Sequence, residues 1–376
     1  MNFAAAHKNS FIIIDIVILK KAHNNVISAP ILTITSMLFD KYQIGNNFCQ
    51  ILLKISHIFD TGISPYGDQP FHRHNVTSRS TEMKLEMTCY GCLICQMEKL
   101  LNGMDLPRIR KTAILREIIA CASSMDPELP PPNYGREIHT LLKKLINDSD
   151  PYAEQKKKSN DAALSLVPEI KNILAQSKDP LKTALQISIS GNIIDYGAPG
   201  SSDRVDIKKS LLHALDTPLD EALYGAFKKE LSHSRQILVV GDNAGEIVFD
   251  RFLIEQMREK SVTYAVRGLP IINDATREDA RLAGIDTLAR VIDTGDSTPG
   301  IVFSRSSDEF LHAFSGADLI ILKGQGNFET LFGENLQYYT GKSTHLYFLF
   351  KVKCSPVSAM TTLSEGSIAF LRYPAD

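Results

Sequence analysis

The 376-residue sequence predicts an α/β protein, a mainly helical region followed by a mainly parallel sheet with helices on its faces. Three observations carry that expectation. Four strand-like runs fall after residue 235: QILVV (236–240), VTYAV (262–266), DLIIL (318–322) and HLYFLFKV (345–352). Helical segments separate at least the first two pairs, and strand, helix, strand at such spacing makes parallel neighbours. Before residue 230 the apolar period is helical instead.

Residues 1–82 differ in texture from both. They hold five of the ten histidines, and the stretch GISPYGDQPFHRHNVTSRSTE is polar and turn-rich. This segment is expected to be a poorly structured extension. The abrupt change at EMKLEMTCYGC favours a true start at Met83 or Met87, with residues 1–82 as upstream sequence. Residues 83–230 are then the helical region. LPRIRKTAILREIIACASSM places Ile109, Ala113, Leu115, Ile118 and Ile119 roughly on one helical face. GREIHTLLKKLI is a second amphipathic helix after the break MDPELPPPNYG. Asp150-Pro151 and Asp179-Pro180 each suit a helix start, a capping acid before a proline. The second of these helices ends near Gly191, before the loop NIIDYGAPGSSD. Residues 231–376 form the α/β domain, whose last stretch, SAMTTLSEGSIAFLRYPAD, reads as either a final strand or a tail.

Composition excludes some functions. A formal net charge of -2 gives no electrostatic basis for nucleic-acid binding. The longest early apolar run, FIIIDIVIL, is interrupted by Asp15 and is far short of the roughly 20 residues a membrane helix needs. Six cysteines, three of them within seven residues, do not make a disulfide framework, so a reducing cytoplasm is expected. Nothing in the sequence speaks to oligomeric state.

Ligands of parallel α/β sheets bind at the carboxyl ends of the strands. There the chain carries Asp242-Asn243 after the first run, RGLPIINDAT with Arg267, Asn273 and Asp274 after the second, and KGQGNFET with Lys323, Gly324, Gly326 and Asn327 after the third. Asp242, Asn243 and Asp274 offer oxygen donors suited to Mg2+ or Mn2+. Gly324 and Gly326 permit close backbone approach to a phosphate, and Lys323 or Arg267 would neutralise it. A metal and a cation around a phosphate is a layout for phosphoryl transfer. Each motif also has a plain structural reading. Asp242 and Asn243 are good helix caps, Asn273-Asp274 with Glu278 could cap the helix REDARLAG, and Lys323-Gly324 alone is a turn.

Together, GDNAGEIVFD, VRGLPIINDAT, KGQGNFETL and GNIIDYG resemble the metal-dependent damage-control phosphatases, formerly a domain of unknown function numbered 89. The resemblance covers about residues 83–376, and the start MKLEMTCYGCLICQ is similar to the prokaryotic branch with its Cys-x-x-Cys. It implies a helical N-terminal region packed on a Rossmann-like three-layer α/β/α domain. It also implies hydrolysis of small phosphorylated metabolites, sugar phosphates among them, with Mn2+, Co2+, Ni2+ or Mg2+. Carried onto this chain, Asp242, Asn243 and Asp274 would be the metal ligands and Lys323 would bind phosphate. Asn192 and Asp195 would reach the site from the helical region, with Asp242 or Asp195 orienting or deprotonating the attacking water.

Two other functions fit parts of the pattern. A nucleotide-cofactor enzyme such as a methyltransferase would use the Gly-Asp-Asn-Ala-Gly turn, though G-x-G-x-x-G is absent. A non-catalytic phosphometabolite or metal sensor would use Cys89, Cys92 and Cys95 as its switch. Those cysteines suit either a metal or redox role, or inward packing as small hydrophobes.

Overall fold

The structure is a computed structural model and describes residues 82–191, 211–212, 215–340 and 344–373. The expectations for residues 1–81, and for Asn192 and Asp195, lie outside the described residues.

Helices come first, as the periodicity requires. They are α1 (Met87–Gly103), α2 (Arg108–Ser123), α3 (Pro131–Ile146), α4 (Ala153–Ser165), α5 (Val167–Gln176), α6 (Pro180–Gly191) and α7 (Glu221–His233). Helix α6 begins at Pro180, with Asp179 Oδ1 accepting the Lys182 N–H at 3.2 Å, as the Asp-Pro pair predicts. At the other Asp-Pro pair the helix starts later, at Ala153, and Asp150 is ion-paired with Lys156 at 2.6 Å. The inward face of α2 also differs from expectation. Ile114, Ile118 and Ala122 are buried at i, i+4, i+8, while Ile109 is 82% exposed. The buried stripe packs with α1 and α3 in a small apolar core that includes Leu93, Met97, Leu101, Ile138 and Leu142.

The sheet then follows: β1 (Gln236–Val240), α8 (Glu246–Glu255), β2 (Ser261–Val266), α9 (Arg277–Leu282), β3 (Arg290–Asp293), α10 (Asp308–Gly316), β4 (Leu319–Lys323), α11 (Gln325–Leu331), α12 (Gln337–Thr340), β5 (His345–Lys351), α13 (Ser355–Thr361) and β6 (Ile368–Tyr373). The strand order is β3-β2-β1-β4-β5-β6. β1 to β5 run parallel, and β6 closes one edge antiparallel to β5. The sequence reading missed β3, which is four residues long, lies at the edge and buries only Ile292 fully. β6 resolves the ambiguous tail in favour of a strand.

Both faces of the sheet are covered, which is why its strands read as unbroken apolar runs. Ile237 and Val239 of β1 face a core shared with α4 to α8, whereas Leu238 and Val240 face one shared with α10, α11 and α13. The strand order reverses between β1 and β4. Their carboxyl ends therefore flank the topological switch point, where a crevice opens in such sheets.

Candidate active site

Two of the predicted motifs stand at that switch point. Asp242-Asn243 follows β1 by one residue, and Lys323-Gly324 closes β4. The third, Asn273-Asp274, arrives from β2 and is stitched to the first by backbone. Asn243 and Asp274 form an isolated antiparallel bridge, Ala244 N donates to Asn273 O at 2.8 Å, and Ala275 N donates to Asp242 O at 2.7 Å. Two stretches separated in sequence are thus held as one unit. Asp242, Asn243 and Asp274 are each less than a tenth exposed.

The capping alternatives can be judged from the helix starts. Helix α8 begins after Gly245, with no side-chain cap, so neither Asp242 nor Asn243 caps it. Gly245 has φ +83°, and a Cβ there would stand 3.0 Å from Ser159 Cβ and the Ser159 carbonyl oxygen, so both its conformation and its crowding require glycine. Helix α9 is capped by a reciprocal box between Thr276 and Asp279. Asn273, Asp274 and Glu278 are not part of that box.

The cations lie differently from expectation. Arg267 is buried, and its guanidinium is committed to protein: Nε donates to Asp274 Oδ2 at 2.6 Å, one terminal nitrogen to the Gly300 carbonyl at 3.1 Å, the other to Asn327 Oδ1 at 3.0 Å. Asn327 passes its own amide N–H to the Lys323 carbonyl at 2.5 Å. Lys323 is fully buried, and its ammonium donates to Glu246 Oε1 at 2.5 Å, Asp250 Oδ1 at 2.6 Å and the Ser188 carbonyl at 2.9 Å. Lys323, Arg267 and Asn327, expected around a phosphate, each hydrogen-bond neighbouring protein atoms in the structure. Burial pulls the Lys323 ammonium down, but Asp250 and Glu246 outweigh it and hold the group raised, at about 12. Burial pushes Glu246 up, to about 7, against the pull of Lys323.

Gly324 has φ +83°, and a Cβ built on it would collide with the Asp242 carboxylate. The backbone therefore passes directly beneath that carboxylate. Asn243 Nδ2 donates to Asp242 Oδ2 at 2.7 Å and to Glu246 Oε2 at 3.3 Å, which turns the carbonyl end of its planar amide away from both acids. Two carboxylates and one amide oxygen brought together at a strand-end crevice fit a hard divalent cation in donor chemistry. Among the described residues no group of three or more His, Cys, Asp or Glu side chains is gathered for a metal, so the candidate set depends on its amide.

Several residues of this site were not read from the sequence. Asn160 of α4 accepts the Gly245 N–H at 2.7 Å and donates to Asp279 Oδ1 at 2.7 Å, clamping both loops from the helical region. Glu246 and Asp250 are acids four apart in a helix whose other buried residues are all apolar, a pattern visible in EIVFDRFLIE that could have found them. Glu329 lies in α11 beside Gln325, whose amide N–H it accepts at 2.7 Å; burial pushes its carboxyl up to about 7. Lys353 stands just past β5, its backbone N–H donating to Gln325 Oε1 at 2.8 Å, and its charge acts on Glu329. Helix α6, which leads toward Asn192 and Asp195, ends at Gly191 against Glu246 and Phe249.

Cys89 and Cys95 are buried on α1 with Leu93, Ile94 and Met97. Burial pushes the Cys89 thiol well up, and it pushes the Cys354 thiol up to about 12.

Residues 85–368 match the family described as the damage-control phosphatase ARMT1-like domain. A damage-control phosphatase of Pyrococcus horikoshii is 33% identical over 299 residues, covering 77% of this chain and 98% of the relative. A damage-control phosphatase of Archaeoglobus fulgidus is 37% identical over 239 residues, 61% of this chain and 78% of the relative. Among solved structures, a DUF89 family protein from Pyrococcus horikoshii superposes with a TM-score of 0.68 at 31% identity, covering 77% of this chain and 99% of that one.

Proposed function

The chain belongs to the family of the damage-control phosphatase ARMT1-like domain, and from that premise we propose that it is a divalent-metal-dependent phosphatase of small phosphorylated metabolites. Asp242, Asn243 and Asp274 hold the ion. The observation that carries this reading is the Asn243–Asp274 bridge at the switch point of the sheet, with Gly324 passing beneath Asp242. Helix α8 starts after Gly245 with no side-chain cap from that residue, and the following helix α9 has its own capping box. Acids buried together at a strand-end crevice are the expected form of a binding site.

When bound, the ion supplies Lewis-acid charge against the phosphoryl oxygens and a site for the attacking water. The rest is done by the chain. Asp242 and Asp274 provide negative charge on fixed backbone. Arg267 holds the Asp274 carboxylate and the Asn327 amide in place, so the site is assembled before substrate arrives. Asp242 or Asp195 orients or deprotonates the water, and Asn192 is a further candidate residue of the site. The substrate is a sugar phosphate or another damaged or surplus phosphometabolite, and the ion is Mn2+, Co2+, Ni2+ or Mg2+.

The test is hydrolysis of p-nitrophenyl phosphate by metal-stripped protein titrated with each of the four ions, beside Asp242→Ala. Metal-dependent turnover that the substitution removes supports the reading. A folded protein inert with every ion sinks it, and cofactor binding or ligand binding without turnover would then favour a methyltransferase or a sensor.

A further inference from the structure

We propose that Glu246 and Lys323 are positioning residues that fix the orientation of the Asn243 amide, and that Lys323 does not contact the substrate phosphate. This rests on the reading of Asn243 as a ligand of the divalent ion.

The argument follows the donors. An ammonium has three N–H donors and no acceptor. Lys323 places them on Ser188 O, Glu246 Oε1 and Asp250 Oδ1, all within 2.9 Å. The acids are held in turn. Asp250 Oδ1 also accepts the Ser188 hydroxyl at 2.6 Å, and Asp250 Oδ2 accepts the Tyr264 hydroxyl at 2.6 Å. Glu246 Oε2 then accepts from Asn243 Nδ2, which reaches Asp242 Oδ2 as well.

An amide can turn over, exchanging its oxygen and nitrogen. Here a turned Asn243 would point its oxygen at two acids, Asp242 and Glu246. The observed orientation is set by that repulsion and by the two hydrogen bonds. Asn243 is the only neutral side chain in the candidate ligand set, so it is the one whose donor atom needs an outside restraint. Glu246 supplies the restraint, and Lys323 holds Glu246 in its rotamer. For Lys323 to reach a substrate phosphate it would have to abandon two buried carboxylates, and removing one partner of such a cluster is costly.

The experiment uses the full chain, stripped of metal, with Glu246→Gln and Lys323→Met. Mn2+ affinity is measured by isothermal titration calorimetry. Inorganic phosphate is then measured as a competitive inhibitor of p-nitrophenyl phosphate hydrolysis at saturating Mn2+. A glutamine at 246 has one oxygen for two donors, so it cannot serve both Lys323 and Asn243. Glu246→Gln is expected to weaken Mn2+ binding by about 10–100-fold, the range for a lost outer-shell partner, with phosphate inhibition unchanged. Lys323→Met, judged only if circular dichroism shows it folded, behaves the same way. Unchanged Mn2+ affinity in Glu246→Gln overturns the proposal. So does a Lys323→Met protein that binds Mn2+ normally but loses phosphate inhibition. A wild-type protein that binds no divalent ion overturns the metal reading itself, and this inference with it; wild-type binding with an indifferent Glu246→Gln overturns this inference alone.

Discussion

Gly324 and Asp242 occupy adjoining space so closely that no side chain fits between them: a Cβ on Gly324 would overlap the Asp242 carboxylate. The glycine also sits at φ +83° and ψ 152°, a region nearly closed to other residues. The two facts make one prediction. Gly324→Ala should cost about 1–3 kcal/mol in backbone strain alone and should displace Asp242 as well. The expected outcome is a protein with a lower urea midpoint and no measurable Mn2+ binding by calorimetry. An alanine variant that binds Mn2+ like wild type would show that the contact has no bearing on the site.

Capping and metal binding make opposite predictions at neighbouring positions. Thr276 and Asp279 form the capping box of α9, so Thr276→Ala should lower stability by about 0.5–2 kcal/mol and leave metal affinity nearly intact. Asp242 is not the N-cap residue of α8, α9 or α11, and it stands near Glu246, whose carboxyl its charge pushes up. Asp242→Ala removes like-charge repulsion on Glu246 together with the Arg267 pairing at 3.9 Å and the Asn243 hydrogen bond, so these effects offset one another in the metal-free protein, while Mn2+ should no longer raise its melting temperature. Thermal melts with EDTA and with Mn2+ for both variants decide the matter. A Thr276→Ala protein that loses the Mn2+ shift would contradict this division of roles.

Asn160 ties the two ligand loops to the helical region through one side chain. It is buried, and each of its polar atoms has a defined partner, Gly245 N and Asp279 Oδ1. Asn160→Leu keeps the volume and leaves both partners unsatisfied, at about 1–3 kcal/mol each. The variant should unfold at lower urea and bind Mn2+ about 10–100-fold more weakly, since outer-shell support of a ligand loop is worth that much. Equal destabilisation with unchanged Mn2+ affinity would make Asn160 a structural tie only.

The pattern of what was legible follows from how each feature is encoded. β1, β2, β4 and β5 were readable because strands buried on both faces need unbroken apolar runs. β3 was not, because an edge strand of four residues that fully buries only Ile292 leaves little trace. The candidate ligand motifs were readable because polar residues directly after such runs stand out. The destinations of Lys323 and Arg267 were not. A lysine at a strand end can face a ligand or bury itself against acids from another element, and Glu246 and Asp250 lie more than seventy residues away in sequence. Asn160 was invisible for the same reason: its value lies in two contacts, 85 and 119 residues distant.

Glu329 gives the chain a pH dependence whose sign can be worked out. Its carboxyl is raised to about 7, chiefly by burial, with the charge of Asp242 adding to it and Gln325 and Lys353 opposing it. In the unfolded chain it titrates near the ordinary glutamate value of roughly 4.3. Between those limits the folded protein binds the proton and the unfolded chain has lost it, so stability falls as pH rises. Below about pH 4 both forms are protonated and the contribution is fully present. Above about 7 it is lost, at a total on the order of 3–4 kcal/mol. Glu329→Gln keeps the shape and the hydrogen bond to Gln325 and cannot ionise. In metal-free protein its urea stability should exceed that of wild type at pH 8, with the difference shrinking steadily as the pH is lowered to 5. Mn2+ should narrow the gap at pH 8, because neutralising Asp242 removes one of the influences holding Glu329 up. A difference between the two proteins that is constant from pH 5 to pH 8 would show that Glu329 does not titrate in that window.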